Sequence, residues 1–175
     1  EKALDLEPNK AETWNRKGRT LYKLENYLEA ITAQDRALEI EPNNAQALSD
    51  RGLALIGLGK HQEALSDFNK AQVIKPLDPR FWQNKALALQ YLGQNQEANR
   101  VYQEAVVAYD QVLQENSNNV TAWIDRGNVF SKLQQQQKAL DSYEKAIAIQ
   151  PESHLAWLGK GNALFAMGKY PEALA

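Results

Sequence analysis

The sequence predicts an all-α protein built as a solenoid of antiparallel helix pairs, because several sets of residues recur with one period. Proline stands at Pro8, Pro42 and Pro76, which are 34 residues apart, and again at Pro151 after two further periods plus seven residues. An aromatic or leucine position and a small residue four positions later keep the same period, with one step of 41 residues between the third and fourth members: Trp14, Leu48, Trp82, Trp123 and Trp157, with Gly18, Gly52, Ala86, Gly127 and Gly161. A fixed period of about 20 to 50 residues indicates a stacked array rather than one globular core.

This period divides the 175 residues into a remnant, four whole units and a final partial unit. The remnant covers residues 1–10, and the units cover residues 11–44, 45–78, 79–119, 120–153 and 154–175. On this division both ends cut through a second helix. We therefore expect the chain to be a piece of a longer array, in which further units would bury the terminal helical segments.

Residues that can cap the free backbone amides of a first turn mark the predicted helix starts. At the start of the second unit, Asn43, which precedes it, and Gln46 have the spacing of a capping box. Before the third unit, Asp78 precedes Pro79, a residue that suits the first position of a helix. Each whole unit is therefore expected to open with a helix.

Each unit is predicted to contain a first and a second helix, as the second unit illustrates. The break between the two helices lies near Gly59, and the second helix ends before Pro76, which cannot continue it. The predicted packing faces are Leu48, Gly52 and Leu55 in the first helix and Ala64, Phe68 and Ala71 in the second. Small residues on these faces let the backbones approach, and aromatic residues, the repeated tryptophans included, are predicted to fill the core between units.

These residues resemble the pattern of the tetratricopeptide repeat (TPR) family, which runs from Trp through Leu-Gly, Tyr, Ala and Phe to a final Pro. The fourth unit matches it best, at Trp123, Gly127, Phe130, Ala139, Tyr143, Ala146 and Pro151. The resemblance covers the whole chain and implies a right-handed superhelical solenoid. Because packing defines the family, the resemblance implies a binding scaffold without naming a partner.

One departure from the family pattern is systematic. Where the pattern has Leu before Gly, this chain has basic residues, namely Lys17, Arg51, Lys85, Arg126 and Lys160. A basic side chain can lay its methylene groups along a helix interface and keep its charge in water. We therefore expect the fold to be unaffected.

The third unit contains seven additional residues. Residues 105–111 repeat the Ala and Tyr of residues 98–104. Seven residues make close to two helical turns, so the insertion returns nearly the same face to its neighbour. We expect a second helix that runs from about residue 96 to about residue 114. The insertion is open to two interpretations, neutral drift that kept the phase, or a bend or docking ledge with a function.

Composition excludes several classes of function. A net charge of −2 with 24% charged residues provides no basic surface for nucleic acid. No apolar run approaches 18 residues, so membrane insertion is not expected. The absence of cysteine excludes disulfides and a cysteine nucleophile. The compartment stays open, with a soluble, cytoplasmic location favoured.

No group of residues predicts catalysis, a metal or a cofactor. His61 and His154 are the only histidines, and neither has a second ligand one helical turn away. The sequence contains no glycine-rich phosphate loop, serine elbow or convergent acid pair. We therefore expect no cofactor and no enzyme active site in these residues.

A second face of the first helices is predicted to bind a peptide. This face resembles the one that lines the concave groove in members of the family. Positions two, five, nine and twelve of each unit share this face and avoid the packing positions. In the later units it carries apolar residues among polar ones, which is typical of an interaction site. The candidate residues, which include three asparagines that could bond a peptide backbone, are Arg19, Tyr22, Leu53, Ile56, Asn84, Leu87, Ile124, Asn128, Leu158, Asn162 and Phe165. Alternatively, the apolar residues shield adjoining helices or are covered by further repeats of a longer array.

The carboxylate clamp of the family, which holds the terminal carboxylate of a chaperone tail, is not expected here. The clamp takes Lys, Asn, Asn, Lys and Arg from three successive first helices. In the first register those places hold Asn15, Arg19, Asp50, Arg80 and Asn84. Asp50, and Asp125 in later registers, would repel a carboxylate.

The sequence thus favours a non-catalytic protein-interaction module that captures an apolar or amphipathic peptide segment of a protein of unknown identity. The alternative is a regulatory or substrate-recruiting array of a larger multidomain enzyme, such as a transferase or peptidase. RNA recognition by a helical-repeat code would need basic residues along the groove, which this chain lacks.

Overall fold

The computed structural model describes residues 10–174, and within this range the chain forms ten helices and no strand. The helices are α1 Ala11–Lys23, α2 Tyr27–Ile40, α3 Ala45–Gly57, α4 His61–Ile74, α5 Pro79–Tyr91, α6 Asn95–Glu115, α7 Val120–Lys132, α8 Gln136–Ile149, α9 His154–Ala166 and α10 Tyr170–Leu174. The predicted all-α class is confirmed. The predicted remnant lies outside the described residues except for Lys10, which precedes α1.

The chain divides into two compact units, of which unit 1 ends at Ala98 and unit 2 begins at Asn99, within α6. In unit 1, consecutive helices from α1 to α5 pack side by side, and α3 also contacts α1 and α5. In unit 2, consecutive helices from α7 to α10 pack in the same way, and α7 also contacts α9. Short turns between packed neighbours make successive helices antiparallel.

Glycine on a first helix lets an aromatic ring of a second helix approach its backbone. In unit 1, a Cβ atom added to Gly52 would lie 2.5 Å from the fully buried ring of Phe68. In unit 2, the ring of Tyr143 lies against both Gly127 and Gly159, where added Cβ atoms would lie 2.6 and 2.5 Å from it. The predicted role of these small residues in helix packing is therefore confirmed.

A basic residue in the middle of a first helix joins neighbouring helices. Arg51 of α3 donates to Asp35 of α2 at 2.6 Å and to Asp67 of α4 at 2.7 Å. Arg126 of α7 donates to Ser142 of α8 at 2.8 Å. The side chains of the two arginines are only 24% and 21% exposed. The prediction that these charges stay in water is therefore wrong here, because protein acceptors replace much of the water.

Trp14, Trp82 and Trp123 are half-buried and Trp157 is exposed, which corrects the prediction of the repeated tryptophans as core residues. Trp157 is 48% exposed, whereas Phe81, next to Trp82, is 1% exposed. The indole N–H groups donate to backbone carbonyl oxygens six residues earlier, at 2.8, 2.8 and 2.7 Å: Trp82 to Pro76, Trp123 to Ser117 and Trp157 to Pro151. These indoles stay at the edge of the core because their N–H groups bond the loop before each first helix.

The helix starts follow the predicted chemistry with one shift. Asn44, not Asn43, caps α3, and its side chain accepts from the amide of Ala47 at 2.9 Å. A cap reaches the third residue of its helix, so Asn43 lies one residue too early. Asp78 caps α5, where Pro79 is the first residue, as predicted.

Helix α6 has 21 residues, whereas α2, α4 and α8 have 14 each. Its fully buried residues include Ala98, Tyr102, Ala105 and Tyr109. Their spacing of four, three and four residues keeps them on one face, so the additional two turns preserve the packing phase.

Candidate functional site

Unit 1 carries six of the candidate residues on its adjacent first helices. This set, the unit 1 stripe, consists of Arg19 and Tyr22 on α1, Leu53 and Ile56 on α3, and Asn84 and Leu87 on α5. Arg19 is exposed, and the other five are half-buried. The contacts of α3 with both α1 and α5 place the three helices side by side. The stripe therefore offers partly accessible apolar groups beside polar ones.

Asn84 forms a bond between two first helices. Its Nδ2 donates to Oγ of Ser49 on α3 at 3.0 Å, and Ser49 is 2% exposed. Ser49 occupies the fifth position of its unit, which the sequence placed on the binding face. The structure buries it because adjacent first helices meet there.

The equivalent pair on α1 and α3 is Asn15 and Asp50, which are separated by the same 35 residues as Ser49 and Asn84. Asn15 is 8% exposed, and the Asp50 side chain is 10% exposed. Gln46 donates to Oδ1 of Asp50 at 2.9 Å. Among the described residues, neither Asp50 Oδ2 nor Asn15 Oδ1 has a hydrogen-bond partner.

The charge of Asp50 faces two exposed arginines. Burial raises the pKa of its carboxyl group, while the hydrogen bond from Gln46 and the charges of Arg19 and Arg80 act in the opposite direction. Arg19 Nε lies 3.9 Å from Asp50 Oδ2, which is too far for a hydrogen bond. The clamp places of the first register already group Asn15, Arg19, Asp50 and Arg80, but the sequence did not predict that Asn15 and Asp50 are buried.

Tyr22 lies near this carboxylate and also near Tyr27 and Tyr91. The rings of Tyr22 and Tyr27 lie 5.8 Å apart, and His61 stacks on Tyr91 at 4.8 Å. Burial raises the pKa of the Tyr22 hydroxyl, and the proximity of Tyr27, Tyr91 and Asp50 raises it further. Tyr22, at the rim of the stripe, is therefore an electrostatic neighbour of Asp50.

Unit 2 carries the other five candidate residues, Ile124 and Asn128 on α7 and Leu158, Asn162 and Phe165 on α9, which we call the unit 2 stripe. Ile124 is 8% exposed and belongs to the hydrophobic core, because α7 meets its neighbours at that position. Asn128 Oδ1 accepts from the Tyr143 hydroxyl at 2.8 Å. Leu158 and Phe165 are 61% and 66% exposed. Asn128 is half-buried, so the α9 residues are the most exposed part of this stripe.

The exposed part of α9 forms one wall of an open apolar cavity of about 420 Å³. Its lining residues are Trp157, Leu158, Gly161, Asn162, Phe165, Tyr170 and Ala173. The rings of Phe165 and Tyr170 meet edge to face at 5.2 Å. The cavity therefore combines a large apolar surface with the amide group of Asn162.

Residues that could hold a metal do not come together in the described part of the chain. No three His, Cys, Asp or Glu side chains there form a group of possible ligands. Within residues 10–174 no helix has both the length and the hydropathy required to cross a bilayer. The arrangement offers apolar contact and hydrogen bonding.

Models of one family match the chain from end to end. The tetratricopeptide repeat is matched by residues 1–45 and 15–79, by residues 80–152 and by residues 142–175. Among curated protein sequences, none matches this chain.

Solved structures of TPR proteins resemble this fold. TTC0263, a thermophilic TPR protein from Thermus thermophilus, has a TM-score of 0.74 and 22% identity, over 94% of this chain and 86% of that one. MamA from Desulfovibrio magneticus RS-1 has a TM-score of 0.59 and 20% identity, over 94% and 89%. YrrB, described as a TPR protein with an unusual peptide-binding site, has a TM-score of 0.55 and 20% identity, over 98% and 84%. At these identities the likeness concerns the fold alone.

Proposed function

The chain belongs to the tetratricopeptide repeat family, and from this premise we propose that it is a non-catalytic scaffold whose first helices bind a peptide segment of a protein partner. The segment is apolar or amphipathic. The observation that carries the proposal is the exposure of Leu158 and Phe165, 61% and 66%, on a helix whose other face is in the core. Full burial of such a side chain against a partner would contribute about 1.5 to 3 kcal/mol to the free energy of binding.

Within each unit, side-chain amides of its own stripe would orient a segment bound there. Asn162 is exposed in the α9 cavity. Asn128 uses its Oδ1 to accept from Tyr143, so its Nδ2 is the group that would donate to a peptide carbonyl. Asn84 donates one N–H to Ser49 and holds α5 in place. In this arrangement burial provides affinity and the amides provide orientation.

Affinity capture with matched variants tests the proposal. Leu158→Glu combined with Phe165→Glu puts two charges on the exposed apolar surface and should abolish partner recovery, because each charge would have to be desolvated on binding. Lys145→Glu is the control, since it changes the net charge by the same amount on the exposed side of α8. Equal recovery by the double variant and the wild type, with helicity unchanged in both, would refute binding at α9.

A further inference from the structure

The oxygens of Asn15 and Asp50 need an explanation because a buried acceptor without a donor destabilises the fold, and more so when it is charged. The equivalent pair on α3 and α5 has no such cost, since Asn84 donates to Ser49 at 3.0 Å. On α1 and α3 both members of the pair present an oxygen instead. The unsatisfied acceptors point to a donor supplied by another molecule.

We propose that Asn15 and Asp50 bind a basic side chain, Lys or Arg, of the partner segment. This inference rests on the proposed function, because Asn15 and Asp50 lie on α1 and α3, which carry four residues of the unit 1 stripe. The bound cation would donate to Asp50 Oδ2 and to Asn15 Oδ1, and the apolar residues beside it in the segment would contact Leu53 and Ile56.

The charge of the site selects a cation. Asp50 supplies a carboxylate whose side chain is nine-tenths buried, and hydrogen bonds between charged groups are the strong ones. Tyr22 is an electrostatic neighbour of Asp50, and aromatic rings attract cations. An acidic side chain would meet the charge of Asp50 at close range and would be repelled.

Arg19 occupies the mouth of this site in the unbound chain. Its Nε lies 3.9 Å from Asp50 Oδ2, so it neutralises charge without completing a hydrogen bond. The Arg19 side chain is 57% exposed, so it can move into solvent when a cation of the partner enters. Arg19 is therefore a competitor of the bound cation, and its removal should strengthen binding.

The test uses two blocked peptides, Ac-ALAKALA-NH2 and the same peptide with norleucine in place of lysine. Each is titrated into the ¹⁵N-labelled full chain, and Kd is measured from the side-chain amide signals of Asn15 and Gln46. We expect the lysine peptide to bind at least tenfold more tightly. Asp50→Asn should remove this preference, whereas Arg19→Ala should increase it. Arg36→Ala, on the exposed side of α2, should leave it unchanged.

Each other outcome overturns the inference. Equal Kd values for the two peptides, with shifts at Leu53 and Ile56, would refute the cation site and leave the proposed function standing. Weaker binding of the lysine peptide to the Arg19→Ala variant would show that Arg19 is not a competitor. Absence of shifts at the stripe with both peptides would overturn the cation site and remove support for peptide binding by unit 1. Circular dichroism of each variant shows that it is folded.

Discussion

Arg51 of α3 holds Asp67 of α4 in a bidentate ion pair, with Nε–Oδ2 and Nη2–Oδ1 distances of 2.7 and 2.8 Å. The same guanidinium group reaches back to Asp35 of α2, so one side chain joins three consecutive helices. The two hydrogen bonds to Asp67 are the main reason that the pKa of Arg51 is raised above its ordinary value. This geometry accounts for a basic residue where the family pattern has leucine.

Removal of the Arg51 side chain should therefore lower the free energy of unfolding strongly. Arg51→Met leaves the Asp67 carboxylate, whose side chain is 4% exposed, without its partner, and we expect a loss of about 3 to 5 kcal/mol in the free energy of unfolding. Arg51→Met combined with Asp67→Leu should recover most of this loss, since no charge stays buried. Arg36→Met removes an exposed pair with Glu39 and should cost at most about 1 kcal/mol. Urea denaturation measures all three, and equal losses for Arg51→Met and Arg36→Met would contradict the prediction.

The contact of Tyr143 with two glycines predicts a sharp difference within α9. Gly159→Ala would place a Cβ 2.5 Å from the ring and should destabilise the chain by about 1 to 3 kcal/mol. At Gly161 the nearest atom would lie 3.8 Å away, so Gly161→Ala should stabilise the same helix by about 0.5 to 1 kcal/mol. Thermal melts should separate the two variants in opposite directions. A Gly159→Ala protein as stable as Gly161→Ala would show that the Tyr143 ring can move aside.

Burial of Asp50 predicts a dependence of stability on pH. Because its pKa is raised in the folded chain, the folded state keeps a proton at a pH where the unfolded chain, with an ordinary pKa of about 3.9, has lost it. The stabilisation from this group is therefore present below about pH 3.9 and is lost as pH rises through the folded pKa. Asp50→Asn, which stays neutral, should gain stability relative to the wild type between about pH 3 and about pH 7. Urea midpoints at both pH values test this, and a constant or falling difference would contradict it.

Two non-glycine residues adopt the left-handed backbone conformation in turns between paired helices, Glu25 with φ 60° and Gln134 with φ 59°. Gly59 has the equivalent place after α3, with φ 74°. A side chain in this conformation costs about 1 to 2 kcal/mol, so Gln134→Gly should raise stability, while Gly59→Gln should lower it. Gln137→Gly, inside α8, is the control and should destabilise by about 1 kcal/mol. A destabilised Gln134→Gly protein in thermal melts would contradict the prediction.

Periodicity alone would predict that Trp82 is a core residue whose substitution is strongly destabilising. Because Trp82 is half-buried, we expect the larger loss of stability at its neighbour Phe81 instead. Trp82→Phe loses the hydrogen bond to the Pro76 carbonyl and should cost about 0.5 to 1.5 kcal/mol. Phe81→Ala empties a fully buried position and should cost about 3 to 5 kcal/mol. Denaturant melts measure both losses. A larger loss for Trp82→Phe than for Phe81→Ala would contradict the assignment of Phe81 to the core and Trp82 to its edge.

The fold was predictable because the period of 34 residues also fixes which residues face the core. Ala64, Phe68 and Ala71 are all fully buried, as their spacing predicts. Exposure within a repeated position was not predictable, because it depends on the neighbouring helix. Ile124 and Leu158 hold the same position in their units, yet one is in the core and the other is 61% exposed.

Polar pairing across helices was only partly predictable from the sequence. The clamp places of the first register group Asn15 with Asp50, but the burial of both residues depends on the position of α3 against α1. The buried ion pair of Arg51 and Asp67 has the same origin, since a basic residue on a helix face is compatible with an exposed charge. Helix geometry predicts which residues of one helix share a face, but it does not predict which side chain of the neighbouring helix will contact them.

Site-specific photocrosslinking tests the central claim, that the first-helix face binds the partner, most directly. A photoreactive phenylalanine analogue at Phe165 keeps the aromatic character of the stripe, and the same analogue at Ala148, exposed on α8, is the control. The account predicts that Phe165 captures a protein partner in cells and that Ala148 does not. Capture of the partner from Ala148, with none from Phe165, would contradict it.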